Sequence, residues 1–277
     1  MKRIILSDTA LELNEVLEKR INVKLIPVHL DLGEDTYLDD ENLNIREFVD
    51  NMHAYEGVAK TAAPSPQAFF EEMVDYDEVF IITISSRLST IYNSACIARD
   101  MFLEKFPARK AHVFDSRSAV VGQTLLADKI QTMINDSLPF DEIVAKGEKL
   151  VGEIRTYFIL EDLGNLVKNG RMSKLAGRIA SMLSINPVCR GNDGNIEIVS
   201  KTRGMKAGIK KMVEEMGKGL ANISEKTLYI SHVLNPDRAE EVKARALEIY
   251  NFKEVQIVGS KGLTSVYANE GGIVVAI

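Results

Sequence analysis

Short apolar runs alternate with longer segments of helical periodicity along the first 155 residues. The strand-like runs cover residues 3–6, 24–32, 78–84 and 111–114. Ser65 and Pro66 form a typical helix start, and helical spacing of apolar residues recurs in residues 116–135 and 140–154. This alternation predicts an α/β region with a mainly parallel, Rossmann-like sheet and helices on both of its faces.

The pattern changes after residue 155 and predicts a second, mixed α/β domain. Residues 157–160 have strand character, and a short helix over 161–168 is expected to end at Gly170. Two strand segments, 187–190 and 196–202, flank a turn sequence typical of a hairpin, Gly191-Asn192-Asp193-Gly194-Asn195. Helices are then predicted over 204–220 and 236–250, and strands over 227–233, 254–259 and 273–277. We therefore predict two domains, residues 1–155 and 156–277.

Composition narrows the class of protein. The chain has 277 residues, 45% of them hydrophobic, and a formal net charge of −6, which disfavours a nucleic-acid partner. Cys96 and Cys189 lie far apart within apolar runs, as expected for reduced thiols in a cytoplasmic protein. The apolar run at residues 4–6 is too short for a signal peptide, and no segment has the length of a membrane span. We expect a cytoplasmic location and no membrane insertion.

Residues 84–95 combine a strand end, a hydroxyl-rich loop and a helix start. Backbone N–H groups, serine hydroxyls and the positive end of a helix dipole together favour an anion. The same serines are also common helix caps, so both interpretations stay open. Asp8 and Asp115 each follow a predicted strand, where a carboxylate either faces a ligand crevice or caps a helix.

The usual catalytic signatures are missing from the sequence. It contains no G-x-S-x-G, G-x-G-x-x-G, H-E-x-x-H or C-x-x-C motif. The four histidines lack a second ligand at metal spacing, so we expect no metal site. A small-molecule hydrolase or transferase that uses Asp8, Asp115, Ser86 and Ser89 remains an alternative, although no histidine or lysine is placed as a base beside these serines.

Five motifs occur in an order and spacing that resemble the DegV family, the bacterial fatty-acid-binding proteins that serve fatty acid kinase. They are Ser7-Asp8-Thr9, Thr61-Ala62-Ala63-Pro64-Ser65, Ser85-Ser86-Arg87-Leu88-Ser89-Thr90-Ile91-Tyr92, Phe114-Asp115-Ser116 and the segment 163–173. The resemblance covers nearly the whole chain. It implies two α/β domains with a long-chain fatty acid held in an apolar tunnel between them.

The resemblance also implies functional residues. The family's threonine and serine that hold the carboxylate match Thr61 and Ser89, and Ser86 is a further candidate in the same loop. The protein would use no cofactor and catalyse no reaction; a separate kinase related to dihydroxyacetone kinase would form the acyl phosphate. Candidate kinase-docking residues are Arg171, Arg203 and Asn269. Arg171 and Arg203 belong to a locally basic stretch of the chain, which also contains Lys174, Arg178, Arg190 and Lys201.

The chain departs from the family pattern at three motifs. Ala62 stands in place of a hydroxyl residue, and the family's L-S-G-T-Y is Leu88-Ser89-Thr90-Ile91-Tyr92 here. The family's C-terminal H-x-G-x-G is most similar to the segment 269–273, in which the histidine is Asn269. The last departure favours a second alternative, a lipid-sensing interaction protein without a kinase partner.

Overall fold

The computed structural model describes residues 1–173 and 185–277. The strands are β1 (Arg3–Asp8), β2 (Val23–Ile26), β3 (His29–Leu32), β4 (Asp35–Leu38), β5 (Lys60–Ala62), β6 (Glu78–Thr83), β7 (Lys110–Asp115), β8 (Thr156–Ile159), β9 (Ile185–Asn192), β10 (Asn195–Arg203), β11 (Thr227–His232), β12 (Glu254–Gly259) and β13 (Ile273–Ala276). The α-helices are α1 (Glu15–Arg20), α2 (Ile45–Ala54), α3 (Pro66–Met73), α4 (Ile91–Lys105), α5 (Val121–Asn135), α6 (Phe140–Glu153), α7 (Gly164–Lys168), α8 (Met205–Met216), α9 (Pro236–Ile249) and α10 (Gly262–Ala268). A 3₁₀ helix covers Ile223–Glu225.

The first part of the chain contains a parallel sheet with strand order β2-β1-β6-β7. All six residues of β6 are buried, which is the pattern of a strand covered on both faces. Helix α3 starts as its sequence predicts, because the Ser65 hydroxyl accepts a hydrogen bond from the Ala68 N–H and Pro66 is the first helical residue. The Rossmann-like sheet predicted for this region is confirmed.

The prediction of one strand over residues 24–32 is wrong. The chain leaves the parallel sheet after β2 and enters a separate antiparallel sheet of order β4-β3-β5. Pro27 separates the two strands and has no N–H to donate to a ladder. The next carbonyl, that of Val28, accepts a hydrogen bond from the Asp39 N–H at 2.9 Å. Apolar residues recur at every second position across the break, at Ile26, Val28, Leu30 and Leu32, so the pattern alone looks continuous.

The second part of the chain forms a mixed sheet with strand order β10-β9-β8-β13-β11-β12. Strands β9 and β10 form the predicted hairpin, in which Asp193 and Gly194 have φ values of 46° and 80°. Positive φ at both central residues is the geometry that an Asp-Gly turn favours. The mixed α/β class predicted for this region is confirmed.

A continuous hydrophobic core connects the two parts. It contains Ile5 and Phe80 of the parallel sheet together with Phe158, Leu263 and Val274 of the later region. A second cluster lies beneath helices α8 and α9 on the six-stranded sheet. The parallel sheet uses residues up to 115 and the six-stranded sheet uses residues from 156 onward; the domain boundary at residue 155 itself stays a prediction.

Candidate functional site

A cavity lies between the two parts of the chain. Its wall is mainly apolar and combines residues of the parallel-sheet region with residues of the six-stranded sheet and helix α10. The principal apolar contributors are Ala10, Val28, Ile84, Val120, Phe158, Leu160, Leu263 and Val274. The predominance of apolar side chains is typical of a small-molecule site.

Strand β8 and the residue after it supply one wall of the cavity through alternate positions. Thr156, Phe158 and Leu160 line the cavity, as expected for residues that share one face of an extended chain. Val274 of β13, which is paired with Phe158 in the sheet, continues this wall. The wall is therefore a continuous apolar surface with a hydroxyl at its start.

Four polar residues line the cavity, and we call them the Thr61 cluster: Thr61 and Arg171, which both contact Tyr267, Tyr267 itself, and Ser89. The Thr61 Oγ1 and Tyr267 Oη atoms are 2.9 Å apart and share a hydrogen bond. The Arg171 guanidinium lies 5.8 Å from the centre of the Tyr267 ring, and its Nε donates to the Leu88 carbonyl at 3.0 Å. Two hydroxyls and a guanidinium beside an apolar cavity form a suitable site for a carboxylate.

Ser89 is positioned by the turn that precedes helix α4. The N–H groups of Leu88 and Ser89 both donate to the Ser85 carbonyl, at 2.9 and 3.1 Å. The Ser85 hydroxyl in turn donates to the Gly194 carbonyl of the hairpin at 2.8 Å. Ser89 Oγ accepts a hydrogen bond from the Ile91 N–H at 3.3 Å while the residue lines the cavity. Ser89 therefore binds the first N–H of helix α4, whose N-cap is Thr90, while it faces the cavity.

Ser86 lies outside the set of described residues that line the cavity. It is exposed, and its hydroxyl donates to the Asp115 carboxylate. The Ser86 N–H donates to the same carboxylate, as does the Arg117 N–H, each at 3.1 Å. Asp115 thus fixes two neighbouring loops, and the structure does not bring Ser86 together with Thr61 and Ser89.

Asp8 is completely buried and connects two segments of the cavity wall. Its carboxylate accepts hydrogen bonds from the Ala10 N–H at 3.0 Å and the Ile84 N–H at 2.8 Å. Burial raises the pKa of Asp8 to about 6, although these hydrogen bonds lower it. Ala10 and Ile84 both line the cavity, so Asp8 fixes two segments of the wall through hydrogen bonds without lining the cavity itself.

The candidate docking residues are dispersed. Arg171 belongs to the Thr61 cluster, whereas Arg203 is exposed at the end of β10. Asn269 follows helix α10 with a φ of 55°, and its N–H donates to the Ser265 carbonyl. Lys174 and Arg178 lie outside the described residues.

The residue of helix α10 that reaches the cluster is Tyr267, which sequence reasoning missed. The glycines at 271 and 272 match the family's C-terminal motif, so the sequence indicated Asn269, which lies two positions after Tyr267. A phenol two residues before the C-terminal motif was the available signal.

Two further properties concern the described part of the chain. Within residues 1–173 and 185–277, His, Cys, Asp and Glu side chains form no group of three placed to hold a metal ion. Among the helices described, none combines the length and the apolar character needed to cross a membrane.

The fold and the site define a two-part α/β protein with an apolar cavity and a polar, carboxylate-compatible cluster. The family model described as "Uncharacterised protein, DegV family" matches residues 2–277, so the chain belongs to the DegV family. A DegV domain-containing protein of Streptococcus gordonii is 32% identical over 272 residues, which cover 97% of this chain and 96% of that protein.

Solved structures agree with this assignment. A DegV family protein of Ruminococcus gnavus, described with vaccenic acid, superposes with a TM-score of 0.93 at 31% identity and covers 99% of both chains. The fatty acid kinase B3 protein of Streptococcus pneumoniae, loaded with linoleic acid, superposes with a TM-score of 0.92 at 29% identity and covers 100% of this chain and 99% of that one.

Proposed function

We propose that this protein binds a long-chain fatty acid in the cavity, with the carboxylate at the Thr61 cluster. The observation that carries the proposal is the combination of a mainly apolar cavity with two hydroxyls and a guanidinium at one place in its wall. The fatty acids named for the Ruminococcus gnavus and Streptococcus pneumoniae proteins support the same ligand class.

The acyl chain would supply most of the affinity. Burial contributes about 0.8 kcal/mol per CH₂, so a chain of about sixteen carbons gains roughly 12 kcal/mol before the costs of association. Those costs remove several kcal/mol. A hydrogen bond to a charged carboxylate adds about 1.5–3 kcal/mol, so the polar cluster would chiefly fix the orientation of the ligand.

The hydroxyl pair of Thr61 and Tyr267 can serve a carboxylate without rearranging the backbone. Each hydroxyl has one proton, and a carboxylate only accepts hydrogen bonds. One proton is used in the bond between the two hydroxyls. A bound carboxylate would accept from both hydroxyls and from Ser89, while Arg171 contributes positive charge nearby.

In this proposal the protein is a carrier and not the catalyst. It presents the carboxylate to a separate fatty acid kinase, a role that the name of the Streptococcus pneumoniae neighbour supports. Arg171, Arg203 and Asn269 remain the proposed docking residues. A hydrolase or transferase is disfavoured because the Ser86 hydroxyl is paired with Asp115 and no imidazole stands beside it in the described structure.

Mass spectrometry of organic extracts from the purified protein tests the binding proposal. We expect a long-chain fatty acid in the extract, and renewed uptake when delipidated protein is offered saturated and unsaturated acids of different lengths. An empty extract together with no uptake of any of these acids would disprove the proposal. Added kinase from the same organism then separates a kinase-coupled carrier, which supports acyl phosphate formation, from a lipid sensor without a kinase partner.

A further inference from the structure

A second pair of hydroxyls lies in the cavity wall, in addition to those of the Thr61 cluster. Ser118 Oγ and Thr156 Oγ1 are 2.5 Å apart and share a hydrogen bond. The two residues are 6% and 7% exposed, and both line the cavity. Ser118 lies in the loop between β7 and α5, and Thr156 begins β8, so the pair joins the two parts of the protein.

The surroundings of this hydroxyl pair are mainly apolar on the cavity side. Ala119, Val120 and Phe158 line the wall with it, as does Arg117. Gly191 also lines the cavity, and a Cβ there would lie 3.8 Å from Thr156 Cβ, so the glycine leaves space beside Thr156. Behind the pair, a Cβ on Gly122 of α5 would approach Ser118 Oγ to 1.9 Å. The pair is therefore backed by a helix and borders the cavity.

The pair has hydrogen-bonding capacity that the described residues do not use. Two hydroxyls carry two protons and four lone pairs, and the bond between them uses one of each. Within residues 1–173 and 185–277, the other contact of these two hydroxyls is a weak one from Ser118 Oγ to the Ala119 carbonyl at 3.4 Å. Either hydroxyl can be the donor in the pair, so the pair can offer a lone pair or a proton to a ligand.

We propose that Ser118 and Thr156 bind an oxygen substituent on the acyl chain, so that the cavity accepts hydroxylated fatty acids as well as plain ones. This inference rests on the proposed function. A ligand hydroxyl buried in an apolar cavity without a partner loses roughly 5- to 100-fold in affinity. A hydroxyl that meets this pair keeps a hydrogen bond and avoids that loss.

The test uses stearic acid and a series of hydroxystearic acids that differ only in the position of the hydroxyl. For the wild-type protein, we expect at least one isomer to bind within about twofold of stearic acid, because its hydroxyl is satisfied. Thr156→Val removes a hydroxyl and preserves the shape of the side chain. It is expected to weaken that isomer by about five- to tenfold and to change stearic acid by less than about twofold. Ser118→Ala is expected to act in the same direction.

Thr264→Val is the matched control. Thr264 is also a buried, cavity-lining threonine, and its hydroxyl has no hydrogen-bond partner among the described residues, so it is the rival place for a ligand hydroxyl. This variant should leave the ratio of hydroxystearic to stearic acid affinity unchanged.

Three results would overturn the inference. If every isomer binds the wild-type protein at least about tenfold more weakly than stearic acid, the ligand hydroxyl finds no partner in the cavity. Equal weakening of stearic acid and the isomer by Thr156→Val would mean that the pair only connects the loop to β8. Loss of the isomer preference in Thr264→Val as well would remove the assignment to this pair. Failure of stearic acid itself to bind would instead contradict the proposed function, and this inference with it.

Discussion

Thr61 and Tyr267 are 206 residues apart in the chain, yet their hydroxyls meet at the cavity. This separation along the chain explains why only Thr61 could be predicted from the sequence. Thr61 stands within a local motif, as does Ser89, and local motifs are visible in a sequence. The contact of Tyr267 with Thr61 depends on how helix α10 packs against β3 and helix α7, which no local pattern encodes.

The carboxylate role of Thr61 and Ser89 leads to a comparison of two ligands. Thr61→Val combined with Ser89→Ala should weaken a fatty acid by about ten- to 100-fold, because charge-assisted hydrogen bonds contribute about 1.5–3 kcal/mol. The fatty alcohol of equal length should be weakened much less, since it carries no charge. Dissociation constants for both ligands measure the difference. Equal weakening of acid and alcohol would point to damaged packing.

Tyr267→Phe tests the residue that sequence reasoning missed. The substitution keeps the ring beside Arg171 and removes one donor, so fatty-acid affinity should fall by roughly two- to tenfold. Tyr250→Phe is the matched control, because the Tyr250 hydroxyl donates to the Glu214 carbonyl and the residue does not line the cavity. An unchanged dissociation constant in Tyr267→Phe would remove this tyrosine from the carboxylate site.

At the scale of elements, the predicted bounds of helices and strands were right or wrong according to the residues near the turns. The helix expected over residues 116–135 starts only at Val121, since Ser116 and Ser118 bond to each other locally and Val120 adopts a φ of 57°. The hairpin was predictable because an Asp-Gly pair favours the turn with positive φ that Asp193 and Gly194 adopt. Pro27 marked the end of β2, but nothing local revealed that the next strand joins another sheet.

Gly194 connects the hairpin to the loop that carries Ser89. A Cβ at Gly194 would lie 2.5 Å from Ser85 Oγ, and its φ of 80° already disfavours any side chain. Gly204→Ala is the matched control, because Gly204 has a φ of 78° and no atom of the described residues would lie within 4 Å of a Cβ placed there. Both substitutions should destabilise the protein by about 1–2 kcal/mol through backbone strain.

Only Gly194→Ala should also weaken fatty-acid binding, since it displaces the Ser85 side chain and the turn that holds Ser89. Urea denaturation measures the stability of both variants, and dissociation constants measure the binding. If the two variants bind fatty acid equally well, the hairpin does not support the carboxylate site.

At the scale of the whole molecule, buried carboxylates hold the two parts together. Glu12 accepts hydrogen bonds from the Ser231 hydroxyl and from the Lys261 N–H at 3.0 Å. Asp39 accepts from the N–H groups of Gly262 and Leu263 at 2.8 and 2.9 Å. The overall class, a parallel sheet followed by a mixed one, followed from element order. This polar junction could not be predicted, because the sequence around an isolated acidic residue does not indicate whether the residue is buried.

The Glu12 junction makes stability depend on pH. Burial raises the pKa of Glu12 from 4.5 to about 7, and nearby Asp39 raises it further while the hydrogen bonds oppose this. Between pH 4.5 and 7 the folded state therefore binds more protons at this site than the unfolded state, so this residue's contribution to the unfolding free energy falls as pH rises. Glu12→Gln is always neutral and lacks this dependence. The free-energy difference between the variant and wild type should shift in favour of the variant from about pH 5 to about pH 8, by at most roughly 3 kcal/mol.

Chemical denaturation at several pH values measures that difference, and taking the difference cancels the titration of carboxylates common to both proteins. A Glu12→Gln difference that stays constant with pH would mean that the Glu12 carboxylate is solvated in the folded protein, and that the two parts of the molecule are joined less tightly than these contacts indicate.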